Sequence, residues 1–183
     1  MFHGCTNFNE DLSSWDVSSC KNFSYMFEYC MAFNSDLSMW DVSNAYNLEH
    51  MFSNCKSFNS DLSQWDVRKC RTFENMFYEC INFNSDLSRW DVRNCSNFSF
   101  MFYGCESFTS DLSDWSTRDF STIFTHYADC MFYNCKSFVC DLSKWWIYQR
   151  GGKEAIKRIF FNSPMLKPEN RDLLPQIKRA TRY

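Results

Sequence analysis

The chain has 183 residues, 45% hydrophobic and 20% aromatic, and a formal net charge of −3. That length carries one compact domain or one short repeat array. No run of about 18 apolar residues occurs, which excludes a membrane-spanning helix, and the opening MFHGCTNFNEDL lacks the basic and apolar regions of a signal peptide. These features predict an intracellular or virion-associated protein rather than a secreted one, with its eleven cysteines kept as thiols. The charge is divided: residues 1–145 hold ten Lys/Arg against nineteen Asp/Glu, a net of −9, and residues 146–183 hold nine against three, a net of +6.

Self-similarity at a fixed period decides the organisation. Trp15, Trp40, Trp65, Trp90 and Trp115 stand 25 apart, and Trp145 follows 30 on. The Met-Phe pair recurs at 1–2, 26–27, 51–52, 76–77, 101–102 and 131–132, with Cys and Phe columns in the same register. Six coils over residues 1–145 follow, with one five-residue insertion within 117–130. In each coil Asp36–Val42 and its equivalents read as a short strand with Leu37, Trp40 and Val42 as its apolar positions. Asn22, Asn47, Thr72, Asn97 and Thr122 then supply helix N-caps. Phe23, Met26, Phe27 and Cys30 fall at i, i+3, i+4 and i+7, one face of a short helix. Gly4, Tyr29, Asn54, Glu79, Gly104 and Asn134 close it, four of the six being residues that tolerate a left-handed turn. The expected fold is α/β, a solenoid with one short parallel strand and one short helix per 25-residue coil. No coil buries its aromatic residues alone, so stacking makes the core, and the Trp column is structural.

Residues 146–183 hold all three prolines and read as a capping helix at Lys153–Phe161 followed by a basic tail. That tail is a secondary candidate for nucleic acid or anionic lipid. The chain opens inside the Met-Phe column, which predicts an exposed apolar edge there and self-association through it.

No motif supplies catalysis, a cofactor or a metal. Cys130, Cys135 and Cys140 cluster at intervals of five with His126 nearby, a spacing unlike zinc ligands, and read as thiols. The Asp11-type and Asp16-type columns read as turn-forming carboxylates that bond neighbouring amides rather than as calcium ligands. His3, His50 and His126 share no register. The GGK at Gly151–Lys153 lacks the Ser/Thr that a P-loop requires, since Glu154 follows.

The unit MF-x-x-C-x-x-F-N-x-D-L-S-x-W-D-V-S/R, clearest at Met26–Val42, Met51–Val67 and Met76–Val92, resembles the repeat of BspA-like surface proteins, a branch of the leucine-rich-repeat-like solenoids. The resemblance covers residues 1 to about 145 and implies adhesion or protein binding without catalysis.

Positions outside the regular columns are free for recognition. Arg68, Lys69, Arg71, Arg89, Arg93 and Arg118 are expected along one strip of coils three to five. The sequence therefore predicts a non-enzymatic scaffold that offers this strip to an acidic protein. The alternative is a structural component of a virion or cell surface assembling through the first coil.

Overall fold

The computed structural model describes residues 1–115, 128–149 and 153–179. Successive 25-residue units lie on one another in register, but the strand and helix expected of each unit are not there. The described residues of the body are turns and unassigned backbone joined by isolated parallel bridges, Asn22 to Asn47, Asn47 to Thr72 and Thr72 to Asn97. The α/β, leucine-rich-repeat-like solenoid is thus corrected to a stack of units without a regular element of their own.

The helix fails for a backbone reason. Tyr25 and Tyr29, His50 and Asn54, and Asn75 and Glu79 all have φ between 54° and 62°, and a right-handed helix cannot contain such residues. Each stands third in a four-residue turn, where a type II turn needs positive φ. Met26 N–H closes onto the Phe23 carbonyl and Cys30 N–H onto that of Phe27. The alternate amides point out of the unit. Phe23, Tyr25, Phe27 and Tyr29 donate to the carbonyls of Asn47, Glu49, Met51 and Ser53 in the next unit at 2.8–3.0 Å. All six residues of the Gly4 column have the left-handed conformation expected of them, yet they stand inside turns rather than at the ends of helices. The cap column also keeps its local chemistry: Asn22, Asn47 and Asn97 Oδ1 accept from the N–H two residues on at 2.9–3.0 Å, and Thr72 Oγ1 at 3.2 Å.

The strand fails because side chains take its donors. Asp36 Oδ1 accepts from Ser38 N–H at 2.9 Å, and Asp41 Oδ1 from Ser43 N–H at 2.9 Å. Between them Trp40 N–H turns back to the Leu37 carbonyl. Two Asx turns and a β-turn replace a ladder, so Leu37, Trp40 and Val42 are buried at spacings of three and two. Leu37 N–H goes to Ser60 Oγ of the next unit at 2.9 Å.

Side-chain columns hold the units together. Phe2, Phe27, Phe52, Phe77, Phe102, Phe132 and Phe160 stack at 5.4–5.8 Å. A parallel file runs Phe8, Phe33, Phe58, Phe83, Phe108, Phe138 at 5.7–5.9 Å. Trp40, Trp65, Trp90 and Trp115 Nε1–H each donate to the Leu carbonyl of the preceding unit, 28 residues back. Cys30, Cys55, Cys80, Cys105 and Cys135 do the same with their thiols to the Phe carbonyls of the preceding units. All eleven cysteines are free thiols. Trp15 is 40% exposed and Met1 85%, while the Trp and Met-Phe residues of the following units are buried.

At the other end the chain makes strand β1 (Trp146–Gln149), helix α1 (Lys153–Ile159), short 3-10 helices at Pro164–Leu166 and Pro168–Leu173, and strand β2 (Gln176–Arg179) parallel to β1. Helix α1 buries Ile156 and Ile159, with Phe160 just beyond, against the stack. Ile159-Phe160-Phe161-Asn162 then repeats the geometry of Met131-Phe132-Tyr133-Asn134. Phe132 and Asn134 N–H donate to the Ile159 and Phe161 carbonyls at 2.9 Å, and Asn162 has φ 54° against 59° at Asn134.

Candidate functional site

Two of the irregular columns meet in one place. Lys21, Tyr46, Arg71 and Ser96 stand at one position of four successive units. They are joined by backbone bonds from Tyr46 N–H to the Lys21 carbonyl, Arg71 to Tyr46 and Ser96 to Arg71, each 2.9 Å. Beside them run Asn44, Lys69 and Asn94. These seven residues line a groove of about 1040 Å³. Its lining holds three cations and no carboxylate, although residues 1–145 carry a net charge of −9.

The lining is braced from behind. Asn44 Nδ2–H donates to the Ser18 carbonyl at 2.9 Å and Asn94 Nδ2–H to that of Arg68 at 2.7 Å. Lys69 Nζ donates to Asn44 Oδ1 at 2.7 Å. Tyr46 is 46% exposed on the groove floor. The chemistry on offer is two exposed cations either side of an aromatic ring, with carboxamides alongside.

The predicted basic strip is divided by this arrangement. Lys69 and Arg71 line the groove, whereas Arg68 and Arg93 do not. Arg68 Nε and Nη2 hold Asp66 at 2.9 and 2.7 Å, and Arg93 holds Asp91 in the same bidentate way. These pairs keep both Asp carboxyls below their usual range, the guanidinium hydrogen bond being the main cause. Arg89 is exposed outside the groove, beside Asp86. Arg118, the 117–127 part of the insertion and His126 lie outside the described residues. Lys21 and Tyr46 were missed in the sequence. The signal was their column, one residue before the regular Asn22 column, which changes from Lys to Tyr to Arg to Ser.

The other candidates resolve into local chemistry. The Asp11-type carboxylates each accept the N–H of the Ser two residues on at 2.8–3.0 Å. That bond lowers the pKa of Asp11, Asp36, Asp86 and Asp111. Burial pushes the Cys30 thiol up to about 11 and those of Cys70 and Cys140 to about 12, which leaves them protonated donors. His3 and His50, which share no register, meet on buried Glu28, their Nδ1 atoms 2.9 and 3.1 Å from its two carboxylate oxygens. Among the described residues no group of three or more His, Cys, Asp and Glu is placed to hold a metal ion. No described helix is long and apolar enough to cross a membrane.

A family model described as Mycoplasma protein of unknown function, DUF285, matches residues 1–80, 39–145 and 62–168. The chain belongs to that family. The three DUF285 matches overlap, in keeping with repeated copies of one unit, and the third runs past the Trp145 unit through Ile159–Asn162, the segment that re-enters the stack. No curated protein and no solved structure matches the chain.

Proposed function

We propose that the chain is a non-enzymatic binding protein whose groove receives an acidic region of another protein. One observation carries this reading: Lys21, Lys69 and Arg71 gather without a lining carboxylate on an otherwise acidic body. Like charges left together on a surface are a standing attraction for an oppositely charged partner, strongest at low salt. The likeness of the repeat unit to BspA-like surface proteins, whose repeats imply adhesion or protein binding, supports the same reading.

The experiment is a comparative pull-down from the native source with mass spectrometry. Three baits are used: the wild-type chain, the triple variant Lys21→Glu/Lys69→Glu/Arg71→Glu, and a control, Arg68→Glu/Arg93→Glu. The expected result is one or more acidic proteins that bind wild type and control, are released by salt, and are lost from the triple variant. Retention of every wild-type partner by the triple variant contradicts the proposal.

A further inference from the structure

The groove has a built-in ruler. Tyr46 N–H bonds the Lys21 carbonyl and Arg71 N–H that of Tyr46, so neighbouring positions in this column are spaced like paired strands, roughly 4.8 Å. Lys21 and Arg71 are two steps apart, roughly 9.6 Å, on one line with the half-exposed Tyr46 ring between them.

An extended strand fits that ruler poorly. Its same-face side chains recur every two residues, roughly 6.7 Å, and residues three apart point to opposite faces. A polyproline II segment has three residues per turn and rises about 3.1 Å per residue, so residues i and i+3 share a face roughly 9.3 Å apart. It reaches the groove with little ordering cost, and its bare carbonyls need donors. Asn44 and Asn94 each use an Nδ2 proton to brace the wall, and each carboxamide nitrogen carries a second.

We propose that the groove takes an acidic polyproline II segment lying along the stack. Its acidic residues at i and i+3 pair with Lys21 and Arg71, and the segment between them, held extended by proline, passes over the Tyr46 ring. Lys69 adds charge from the neighbouring column. This rests on the acidic-partner reading above and narrows it to a conformation and a spacing.

Fluorescence anisotropy on the full chain tests it with three labelled probes of equal charge. These are a peptide with Glu at every third position and prolines between, a peptide with Glu at every second position and no proline, and a single-stranded oligonucleotide. The third-position peptide is expected to bind roughly tenfold tighter than the second-position one, the difference a few exposed charge pairs supply. That advantage disappears in Lys21→Glu/Arg71→Glu and falls in Tyr46→Ala, but survives in Arg68→Glu/Arg93→Glu. Unchanged thermal unfolding of the variants shows that the stack is intact. Equal binding of both peptides, abolished by Lys21→Glu/Arg71→Glu, overturns the polyproline II inference and leaves the acidic-partner reading standing. Tightest binding by the oligonucleotide, or binding of no probe, overturns both.

Discussion

The body of the molecule and the segment that follows it build the same stack by opposite means. In residues 1–115 no helix or ladder forms, yet each unit is bonded to its neighbours through backbone amides, Asn and Ser side chains, thiols and indoles. Residues 146–149 and 153–179 contain ordinary elements, β1, α1 and β2, and meet the stack both where Ile159–Asn162 copies the Met-Phe turn and where Leu142 N–H donates to the Leu173 carbonyl and Gln176 N–H to that of Trp145. What the units share is therefore a set of columns, and a helix or a run of turns can deliver side chains to them equally well.

Truncating one column in both regions sharpens the contrast. Phe77 is sandwiched between Phe52 and Phe102, whereas Phe160 stacks on Phe132 at the end of the file. Phe77→Ala is expected to cost about 3–5 kcal/mol, typical of a buried aromatic truncation, and Phe160→Ala less, as measured by urea unfolding. Equal costs contradict a cohesion built from two-sided neighbours.

Ser85 tests the side-chain bonds that replace a ladder. Its buried Oγ accepts Leu62 N–H at 2.8 Å, so Ser85→Ala strands a buried donor and is expected to cost about 1–3 kcal/mol. Ser85→Cys is expected to recover part of this loss, because Cys140 Sγ takes the same role for Leu112 N–H at 3.3 Å in the last unit.

Asn75, with φ 54°, separates turns from helix. Asn75→Val is expected to lose about 1–3 kcal/mol, since a β-branched residue resists the left-handed region, while Asn75→Gly is tolerated or mildly stabilising. A helix interior ranks the two the other way, so thermal melts of the pair discriminate.

The smallest effect per residue is electrostatic. Nine of the described aspartates, among them Asp36, Asp41, Asp66 and Asp91, have lowered pKa values from hydrogen bonds to Ser or Arg two residues on. A folded pKa below the unfolded one favours the fold above the unfolded carboxyl pKa, roughly pH 4, and the benefit is lost as pH falls through the folded values. Stability should be level near neutrality and decline below about pH 4, and a rise on acidification contradicts the Asx-turn account.

The columns were legible because stacking forces like onto like at a fixed period. Trp40, Phe27 and Cys30 announce the core without any knowledge of backbone path. The path was not legible, because Phe23, Met26, Phe27 and Cys30 satisfy helical spacing while two left-handed residues per unit forbid the helix. Of those two, the Asn54-type column carries Gly and Asn and was readable; the Tyr25-type column, with Tyr25, His50, Asn75, Phe100 and Cys130, holds a single Asn among residues that give no such signal. Of the groove, Lys69 and Arg71 could be found as irregular charges. Arg68 and Arg93 looked the same but carry an Asp two residues before them, and each holds that Asp rather than lining the groove. The return of the chain at Ile159–Asn162 was hidden by its 28-residue offset from Met131–Asn134.

The alternation of amides is the centre of the account, and NMR scalar couplings across hydrogen bonds observe it directly. Coupling of the Phe27 nitrogen to the Met51 carbonyl carbon, and of Phe52 to Met76 and Phe77 to Met101, is the predicted result. Coupling of Phe27 to the carbonyl of Phe23, four residues back as in a helix, would contradict it.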